Sequence, residues 1–226
     1  MRIEPLGDSA LLVRLGETFD AEQSLDAVLR ATRQLEAAQI RGVLDLAPAY
    51  TTIGVFYDPA QTGAFDEFRG NIERALQRDL DSELAREAAT IDVPVCYEGD
   101  FAPDLDVVAT HAGLSRDEVV CRHAGTTYRV SCVGFTPGFP YLSGLSPELA
   151  TPRRASPRTE IPAGAVAIGG TQTGIYPRKS PGGWNLIGRT PLRLFDVARN
   201  PPALFHAGDR VRFRRISRHE FEAFAA

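Results

Sequence analysis

Side chains that could bind a small ligand are concentrated in one glycine-rich stretch of the chain, residues 169–191. Within it, the segments 169–177 and 180–191 place polar residues among glycines and between strand-like runs. Glycine lets a backbone approach a ligand closely, and the exposed N–H groups of such turns can bind an oxyanion. A run of structural turns around a buried Trp184 is the alternative, but the length and density of the stretch favour a binding site. The polar candidates are Gln172, Thr173, Tyr176, Ser180, Asn185 and Arg189.

A second candidate is the aromatic loop 133–142, with the sequence VGFTPGFPYL. Its two prolines remove backbone donors and its two glycines permit unusual torsions, so it is neither a regular helix nor a central strand. The loop predicts either a packed structural corner or the wall of a pocket for a small planar ligand, and both interpretations stay open. Its rings are Phe135, Phe139 and Tyr141.

Three arginines alternate with prolines in the segment 151–158, TPRRASPR. Guanidinium groups suit carboxylate and phosphate oxygens, although a run of this kind is more often a solvated loop. Arg158 is the preferred candidate of the three, because it directly precedes an expected strand over residues 161–168.

The only lysine of the chain, Lys179, limits the chemistry that the chain can carry. A phosphate-binding P-loop needs Gly-Lys-Ser/Thr in a strand–loop–helix frame, and Lys179 lacks both the preceding glycine and that frame. Biotin attachment needs a lysine beside methionine, and a Ser-Ser-Lys amidase needs a lysine near a Gly/Ser-rich turn. If the protein uses ATP, biotin or amidase chemistry, the residues that usually carry out that chemistry are expected on another chain or in an unfamiliar form.

Histidine and cysteine spacing predicts neither a metal site nor a disulfide framework. None of the four histidines forms a pair with ligand spacing, and the three cysteines lack a C-x-x-C motif. Cys96, Cys121 and Cys132 are each expected to be small buried hydrophobic residues. No catalytic residue can be assigned from the order of the residues.

Residues 1–85 are predicted to form a small α+β domain. Alternating apolar residues indicate strands near 10–15, 43–46 and 52–56. Helical spacing indicates one helix from an Asp20 cap to about Gln39 and a second that begins near Gly63, both on one face of the sheet.

Residues 90–226 are predicted to form a mostly-β domain, separated from the first by the polar stretch 78–90. A strand over 91–96 precedes two helices over 105–112 and 115–123, the second with a Ser115/Glu118 capping box. From residue 126 onward, short strands and frequent turn residues indicate a barrel or sandwich, which ends with a strand over 211–215.

Composition excludes several classes of protein. The 226 residues carry a formal net charge of −4 and no basic tail or stripe, so nucleic acid is not an expected partner. No apolar run approaches the roughly 18 residues that a membrane span needs. A cytoplasmic location is the natural expectation.

Long motifs occur in the order GFTPGFPYL, TPRRASPR, IPAGAVAIGGTQTGIYP, SPGGWNLIGRTPL and DRVRF, preceded by LGDSALL and VPVCY. Together they resemble the family of the 5-oxoprolinase B subunits, whose members are also described as allophanate hydrolase subunit 1 or as KipI. The resemblance covers essentially the whole chain. It implies a small α+β N-terminal domain followed by a cyclophilin-like β-barrel, the arrangement of a carboxyltransferase domain.

The resemblance also implies partners and an activity. Members pair with a homologous second subunit, of the type of the 5-oxoprolinase C subunit or allophanate hydrolase subunit 2. With a third subunit they open 5-oxoproline to glutamate at the expense of ATP. On this interpretation the chain is a subunit of an ATP-dependent lactam hydrolase, is inactive alone, and leaves ATP to the complex.

By position, the resemblance implies a set of binding residues without naming an acid or a base. Phe139 and Tyr141 would form a pocket wall, and Arg158 and Arg189 would contact an anion. No metal is implied. The polar contacts would be Gln172, Thr173, Tyr176 and Asn185.

Two alternatives remain within the same resemblance. One is a KipI-like inhibitor that binds a sensor histidine kinase, and the other is half of a urea-carboxylase-type carboxyltransferase. The binding motifs are present in full, which a pure kinase binder would not require, so the enzyme subunit is favoured.

Overall fold

The computed structural model describes residues 1–20, 22–78 and 88–224. The chain forms two compact units, Met1–Glu87 and Ala88–Ala226, each with its own buried core. Most of the expected boundary, 78–90, lies outside the described residues. Among the helices of the described ranges, none combines the length and the apolar character needed to cross a membrane.

The first unit is built on a four-stranded antiparallel sheet. Its strands are β1 (Arg2–Pro5), β2 (Ala10–Arg14), β3 (Val43–Ala49) and β4 (Thr52–Tyr57), and its helices are α1 (Gln23–Ala38), the short α2 (Pro59–Thr62) and α3 (Phe65–Leu76). The strand order is β1-β2-β4-β3. Side chains alternate along β2 and β4, so that Leu11, Val13, Ile53 and Val55 are fully buried in a core shared with α1 and α3.

Helix α1 begins where a carboxylate satisfies its first free backbone donors. Asp20 Oδ1 accepts hydrogen bonds from the backbone N–H groups of Gln23 at 2.6 Å and Glu22 at 3.0 Å. The helix ends at Gln39, whose φ of 45° is left-handed. Both ends therefore lie close to the predicted ones.

The second unit contains nine strands and three helices within its described residues. The strands are β5 (Thr90–Cys96), β6 (Thr127–Val133), β7 (Pro140–Ser143), β8 (Arg158–Ile161), β9 (Ala165–Gly169), β10 (Gln172–Ile175), β11 (Ser180–Gly182), β12 (Asn185–Arg189) and β13 (Arg210–Ile216). The helices are α4 (Leu105–Ala112), α5 (Arg116–Ala124) and α6 (Arg218–Ala223), with 3₁₀ turns at Gly99–Phe101 and Pro147–Leu149.

Seven of these strands form a closed barrel in the order β10-β7-β6-β13-β5-β12-β9. Closure depends on the parallel pair β5–β13, in register from Thr90 with Arg210 to Cys96 with Ile216. Strands β8 and β11 form a separate two-stranded sheet. The prediction of a mostly-β barrel domain is confirmed.

Barrel strands place alternate residues inside and outside. On β9, Val166 and Ile168 belong to the interior core, whereas Ala165 and Ala167 belong to a second buried cluster. This second cluster covers the outer face of the barrel wall, where the candidate site lies.

Two local predictions are wrong. The strand expected over 161–168 is interrupted, because Pro162 to Gly164 form a turn between β8 and β9. Gly164 has a φ of +81°, and a Cβ there would collide with the carbonyl oxygen of Thr190. Cys121 is exposed on α5, whereas Cys96 and Cys132 are buried as predicted.

Local sequence patterns predicted the helices α4 and α5 of this unit accurately. Helix α4 has the predicted bounds, Leu105–Ala112. Ser115 caps α5, with its hydroxyl accepting from the Glu118 backbone N–H and the Glu118 carboxylate accepting from the Ser115 backbone N–H. The predicted capping box is therefore confirmed.

Candidate functional site

The rings singled out by the sequence lie together on the outer face of the barrel. We call Phe135, Phe139, Tyr141, Tyr176 and Trp184 the aromatic cluster. Phe139 is central, with ring centroids 4.8 Å from Tyr141, 5.2 Å from Tyr176, 5.5 Å from Phe135 and 5.6 Å from Trp184. All four contacts are tilted or edge-to-face, the favoured geometry for aromatic pairs.

The cluster has a buried floor and an accessible rim. Phe139, Tyr176 and Trp184 are buried, Tyr141 is half-buried, and Phe135 is 62% exposed. The structure shows the packed corner that one interpretation of the aromatic loop predicted, and the role of the loop as a pocket wall stays a prediction. Phe139 packs as a structural corner, while Phe135 and Tyr141 present ring surface at the edge.

Glycines make room for this layer of rings. A Cβ at Gly169 would lie 2.5 Å from the Trp184 ring, and one at Gly174 would lie 2.9 Å from the Phe139 ring. A Cβ at Gly182 would collide with the Tyr176 hydroxyl. The density of glycines noted in the sequence thus has a packing cause on this face.

The loop that carries Phe135 is tight and locally hydrogen bonded. The Gly134 carbonyl accepts from Thr136 N–H at 2.7 Å, and the Gly134 N–H donates to the Phe139 carbonyl at 3.1 Å. Phe135 itself has a φ of +65°, in the left-handed region that non-glycine residues rarely adopt. The loop holds this ring outward at a conformational cost.

A buried carboxylate organises the arginine segment 151–158. Asp104 is only 2% exposed. Its two oxygens accept from the two terminal nitrogens of Arg158 at 2.7 and 2.9 Å, and Oδ1 accepts from Arg154 at 2.9 Å. Oδ2 also accepts from the backbone N–H of Leu186 at 2.7 Å. A ligand anion at Arg158, the predicted anion contact, would have to compete with this charged partner.

Asp104 was not singled out by sequence reasoning. It directly precedes α4 and so has the position of a helix cap, but its side chain makes no capping hydrogen bond. Arg154 lies 50 residues and Arg158 lies 54 residues further along the chain. No local pattern could have found this contact.

Thr173 lies on the other side of the barrel wall. It is fully buried, and its hydroxyl donates to the Ala167 carbonyl at 3.0 Å. The Thr173 hydroxyl therefore accepts a hydrogen bond from His123 Nε2 at 2.9 Å. His123 Nδ1 in turn accepts one from the Tyr97 hydroxyl at 2.9 Å. Thr173 is thus part of an interior hydrogen-bond chain and is separated from the aromatic cluster.

Burial keeps the histidine of this chain neutral. It lowers the pKa of His123 to about 3, with desolvation as the cause. His123 also stacks on Phe213 at a centroid distance of 4.5 Å. The group is therefore a neutral core histidine.

Three further predicted residues lie at the edges of the aromatic cluster or away from it. Gln172 is half-buried and pairs with Gly169 at the β9–β10 turn. Asn185 is buried, and its Nδ2 donates to the carbonyl oxygens of Pro152 at 2.9 Å and Ile168 at 3.3 Å. Arg189 makes a separate set of contacts.

Arg189 is held between α6 and the turn after β5. Its Nε donates to the Ala163 carbonyl at 2.9 Å. Its guanidinium carbon lies 5.7 Å from the Phe101 ring centroid and 5.9 Å from that of Phe221. None of these partners belongs to the aromatic cluster.

The tyrosines of the cluster are neutral hydrogen-bonding groups. Burial raises the pKa of Tyr176, although a hydrogen bond with the Trp184 backbone acts in the opposite direction. Burial also raises the pKa of Tyr141, which the positive charge of Arg153 partly offsets. Both hydroxyls therefore remain protonated at neutral pH.

Lys179 does not form a phosphate-binding loop. It lies directly before β11, is 67% exposed and pairs with Glu160 at 2.6 Å. Within residues 1–20, 22–78 and 88–224, no three His, Cys, Asp or Glu side chains are grouped so that they could hold a metal ion.

Comparison with known proteins gives consistent matches. Residues 1–205 match the family described as carboxyltransferase domain, subdomain C and D. The 5-oxoprolinase B subunit of Bacillus subtilis is 41% identical over 99% of this chain and 96% of its own length. That of Escherichia coli O157:H7 is 48% identical over 92% of this chain and 93% of its own length.

A solved structure has the same fold. The crystal structure of TTHA0988 superposes with a TM-score of 0.79 and 38% identity over 93% of this chain. The match spans only 40% of the TTHA0988 chain, so that polypeptide continues well beyond the shared part.

Proposed function

Since this chain belongs to the carboxyltransferase-domain family, subdomains C and D, we propose that it is one subunit of an ATP-dependent 5-oxoprolinase. The complex opens the lactam ring of 5-oxoproline to give glutamate. The observation that supports this most directly is the end-to-end similarity to two proteins named as 5-oxoprolinase B subunits, at 41% and 48% identity.

The site supports this function by its chemistry. The accessible rings of Phe135 and Tyr141 offer a surface for a small planar ring, and Arg153 of the segment 151–158 lies beside the aromatic cluster. A lactam acid combines a planar amide with a carboxylate, so both features have a counterpart in the substrate.

ATP is proposed as a co-substrate of the complex, bound on another subunit. The residues of this chain do not fit the common phosphate-binding loop, because its only lysine is paired with Glu160 on an exposed turn. Activation of the amide by ATP is therefore assigned to a partner, and the chain is expected to be inactive alone.

Two partners are proposed: a homologous second subunit, of the type of the 5-oxoprolinase C subunit or allophanate hydrolase subunit 2, and a third subunit. The word "subunit" in the names of the relatives supports a multi-chain enzyme. The additional length of the TTHA0988 chain supports it too, because there the same fold is joined to further sequence. The cyclophilin-like assignment of the barrel and a cytoplasmic location belong to the same proposal.

The test is reconstitution with and without this chain. We expect ATP-dependent release of glutamate from 5-oxoproline only when the chain is present together with both partner subunits. Unchanged activity without it would contradict the proposal. No activity from folded and paired subunits would contradict it as well, and would favour carboxyl transfer or regulation of a sensor kinase.

A further inference from the structure

Arg153 differs from the other two arginines of its segment. Arg154 and Arg158 share the carboxylate of Asp104, whereas Arg153 is exposed and its guanidinium carbon lies 5.8 Å from the centroid of the Trp184 ring. Among the described residues, no hydrogen bond or ion pair engages the Arg153 guanidinium. This cation beside the aromatic cluster is thus available to a ligand.

The backbone on both sides of Arg153 is fixed. Thr151 and Gly170 exchange two backbone hydrogen bonds, of 2.8 and 3.2 Å. The Pro152 carbonyl accepts from Asn185, and the Arg154 N–H donates to the Gly183 carbonyl at 2.8 Å. The backbone that carries Arg153 is therefore preorganised, and only the side chain has to be ordered when it binds an anion.

The surroundings of Arg153 select the kind of ligand. The Trp184 ring beside which Arg153 lies is also a neighbour of Tyr141, with a distance of 5.8 Å between the two ring centroids. The edge of a guanidinium group carries N–H donors that can bind a planar carboxylate by two parallel hydrogen bonds. A single guanidinium beside exposed ring surface fits a monoanion with a planar apolar body better than a triphosphate.

We propose that Arg153 binds the carboxylate of the substrate while Phe135 and Tyr141 contact its ring. The substrate class is a small planar lactam acid. This assignment rests on the proposed function and names Arg153, rather than Arg158, as the residue that recognises the acid group. Arg158 keeps its partner Asp104 throughout.

The chain contains one tryptophan, Trp184, which lies under Arg153 and reports on this site alone. The experiment titrates the full chain with L-5-oxoproline, with the carboxylate-free lactam 2-pyrrolidinone and with ATP, and follows Trp184 fluorescence. We expect a saturable change with 5-oxoproline and binding of 2-pyrrolidinone that is weaker by about tenfold or more.

Substitutions of Arg153 then test whether its guanidinium group binds the carboxylate of the substrate. Arg153→Gln should weaken 5-oxoproline binding by about tenfold or more and leave 2-pyrrolidinone binding unchanged. Arg153→Lys should recover part of the loss, because it keeps the charge without the planar fork. Arg178→Gln, the matched control at another arginine outside the aromatic cluster, should bind both ligands as the parent chain does.

The assignment would be overturned by equal binding of the two lactams, by parent-like binding of 5-oxoproline by Arg153→Gln, or by the absence of a saturable change at Trp184. Competition by ATP at the same affinity would overturn it too, in favour of a nucleotide site. The reconstituted enzyme separates the two proposals. If it hydrolyses 5-oxoproline equally well with Arg153→Gln, the proposed function survives and the role of Arg153 does not.

Discussion

Asp104 connects three parts of the second unit through one side chain. It binds Arg154 and Arg158 in the arginine segment and the backbone of Leu186 on β12. The Asp104 carboxylate is only 2% exposed. Removing its charge should destabilise the folded protein, because the two arginines that it binds keep their charges.

Asp104→Asn should therefore lower the free energy of unfolding by about 2–4 kcal/mol, measured by urea denaturation. Asp106→Asn is the matched control two residues away, since Asp106 is exposed and pairs with Arg116 on the surface. Equal effects of the two substitutions would show that Asp104 does not stabilise the arginine segment.

His123 should make stability depend on pH. Its pKa is about 3 in the folded protein against 6.5 when exposed, so between these values only the unfolded chain takes up the proton. The free energy of unfolding should then fall as the pH decreases below 6.5, by up to about 1.4 kcal/mol per pH unit from this group.

The measurement is urea denaturation of the parent, His123→Gln and His219→Gln between about pH 5 and pH 7. His123→Gln should give a shallower dependence than the parent, and His219→Gln, at an exposed position, should keep the parental slope. A parental slope in His123→Gln would mean that His123 is not the group that titrates.

The packing of the aromatic residues was predictable because the rings belong to the motifs themselves, and their binding roles stay predictions. Phe139, Tyr141 and Tyr176 came together as the motifs indicated. The choice of Arg158 over Arg153 rested on an adjoining strand, whereas the difference between them is set by Asp104, whose position in space follows from the fold. Which arginine of the segment is left for a ligand is therefore a tertiary property.

Strands β9 and β10 form the platform under the aromatic cluster, and their glycines set how closely the rings approach. Gly169→Ala would place a Cβ 2.5 Å from the Trp184 ring. Because overpacking forces side chains to move, we expect a loss of about 1–3 kcal/mol in the free energy of unfolding and a red shift of Trp184 emission.

Gly134→Ala is the control for that substitution. Gly134 lies in the aromatic loop, has nothing within 4 Å of the position that a Cβ would take and does not need a positive φ. Gly134→Ala should leave the free energy of unfolding and the Trp184 emission near the parental values. An unshifted emission in Gly169→Ala would show that Trp184 does not depend on this close approach.

Elements defined by local signals were predicted more accurately than those defined by pairing. The capping box at Ser115 is contained within four residues, and it is present. The parallel β5–β13 pair joins residues 120 positions apart, as in the Arg212–Asp92 contact. No local sequence pattern predicts this pairing. The turn at Pro162–Gly164 was missed because apolar residues on either side of it continue the strand pattern.

The two units bury separate cores. The second core combines barrel strands with α4 and α5, and its closed barrel is formed entirely by residues from Thr90 onward. A fragment of residues 88–226 should therefore fold alone, unfold cooperatively in urea and keep the emission of a buried Trp184.

Ile187→Ala within that fragment is the control for genuine packing. Ile187 is fully buried in the barrel core, so its truncation should reduce the free energy of unfolding by about 2–4 kcal/mol. A fragment without a cooperative transition, or one insensitive to this truncation, would contradict an independent second core.

The exposed ion pair between Lys179 and Glu160 has a practical consequence for mapping the assembly. Since no other lysine side chain is present, a lysine-reactive cross-linker has a single side-chain anchor on this subunit. That anchor adjoins β11, whose Gly182 packs against the Tyr176 hydroxyl of the aromatic cluster. Every cross-link from Lys179 to a neighbouring subunit therefore starts at a known position. The residue at its other end identifies the surface of that subunit that faces this site.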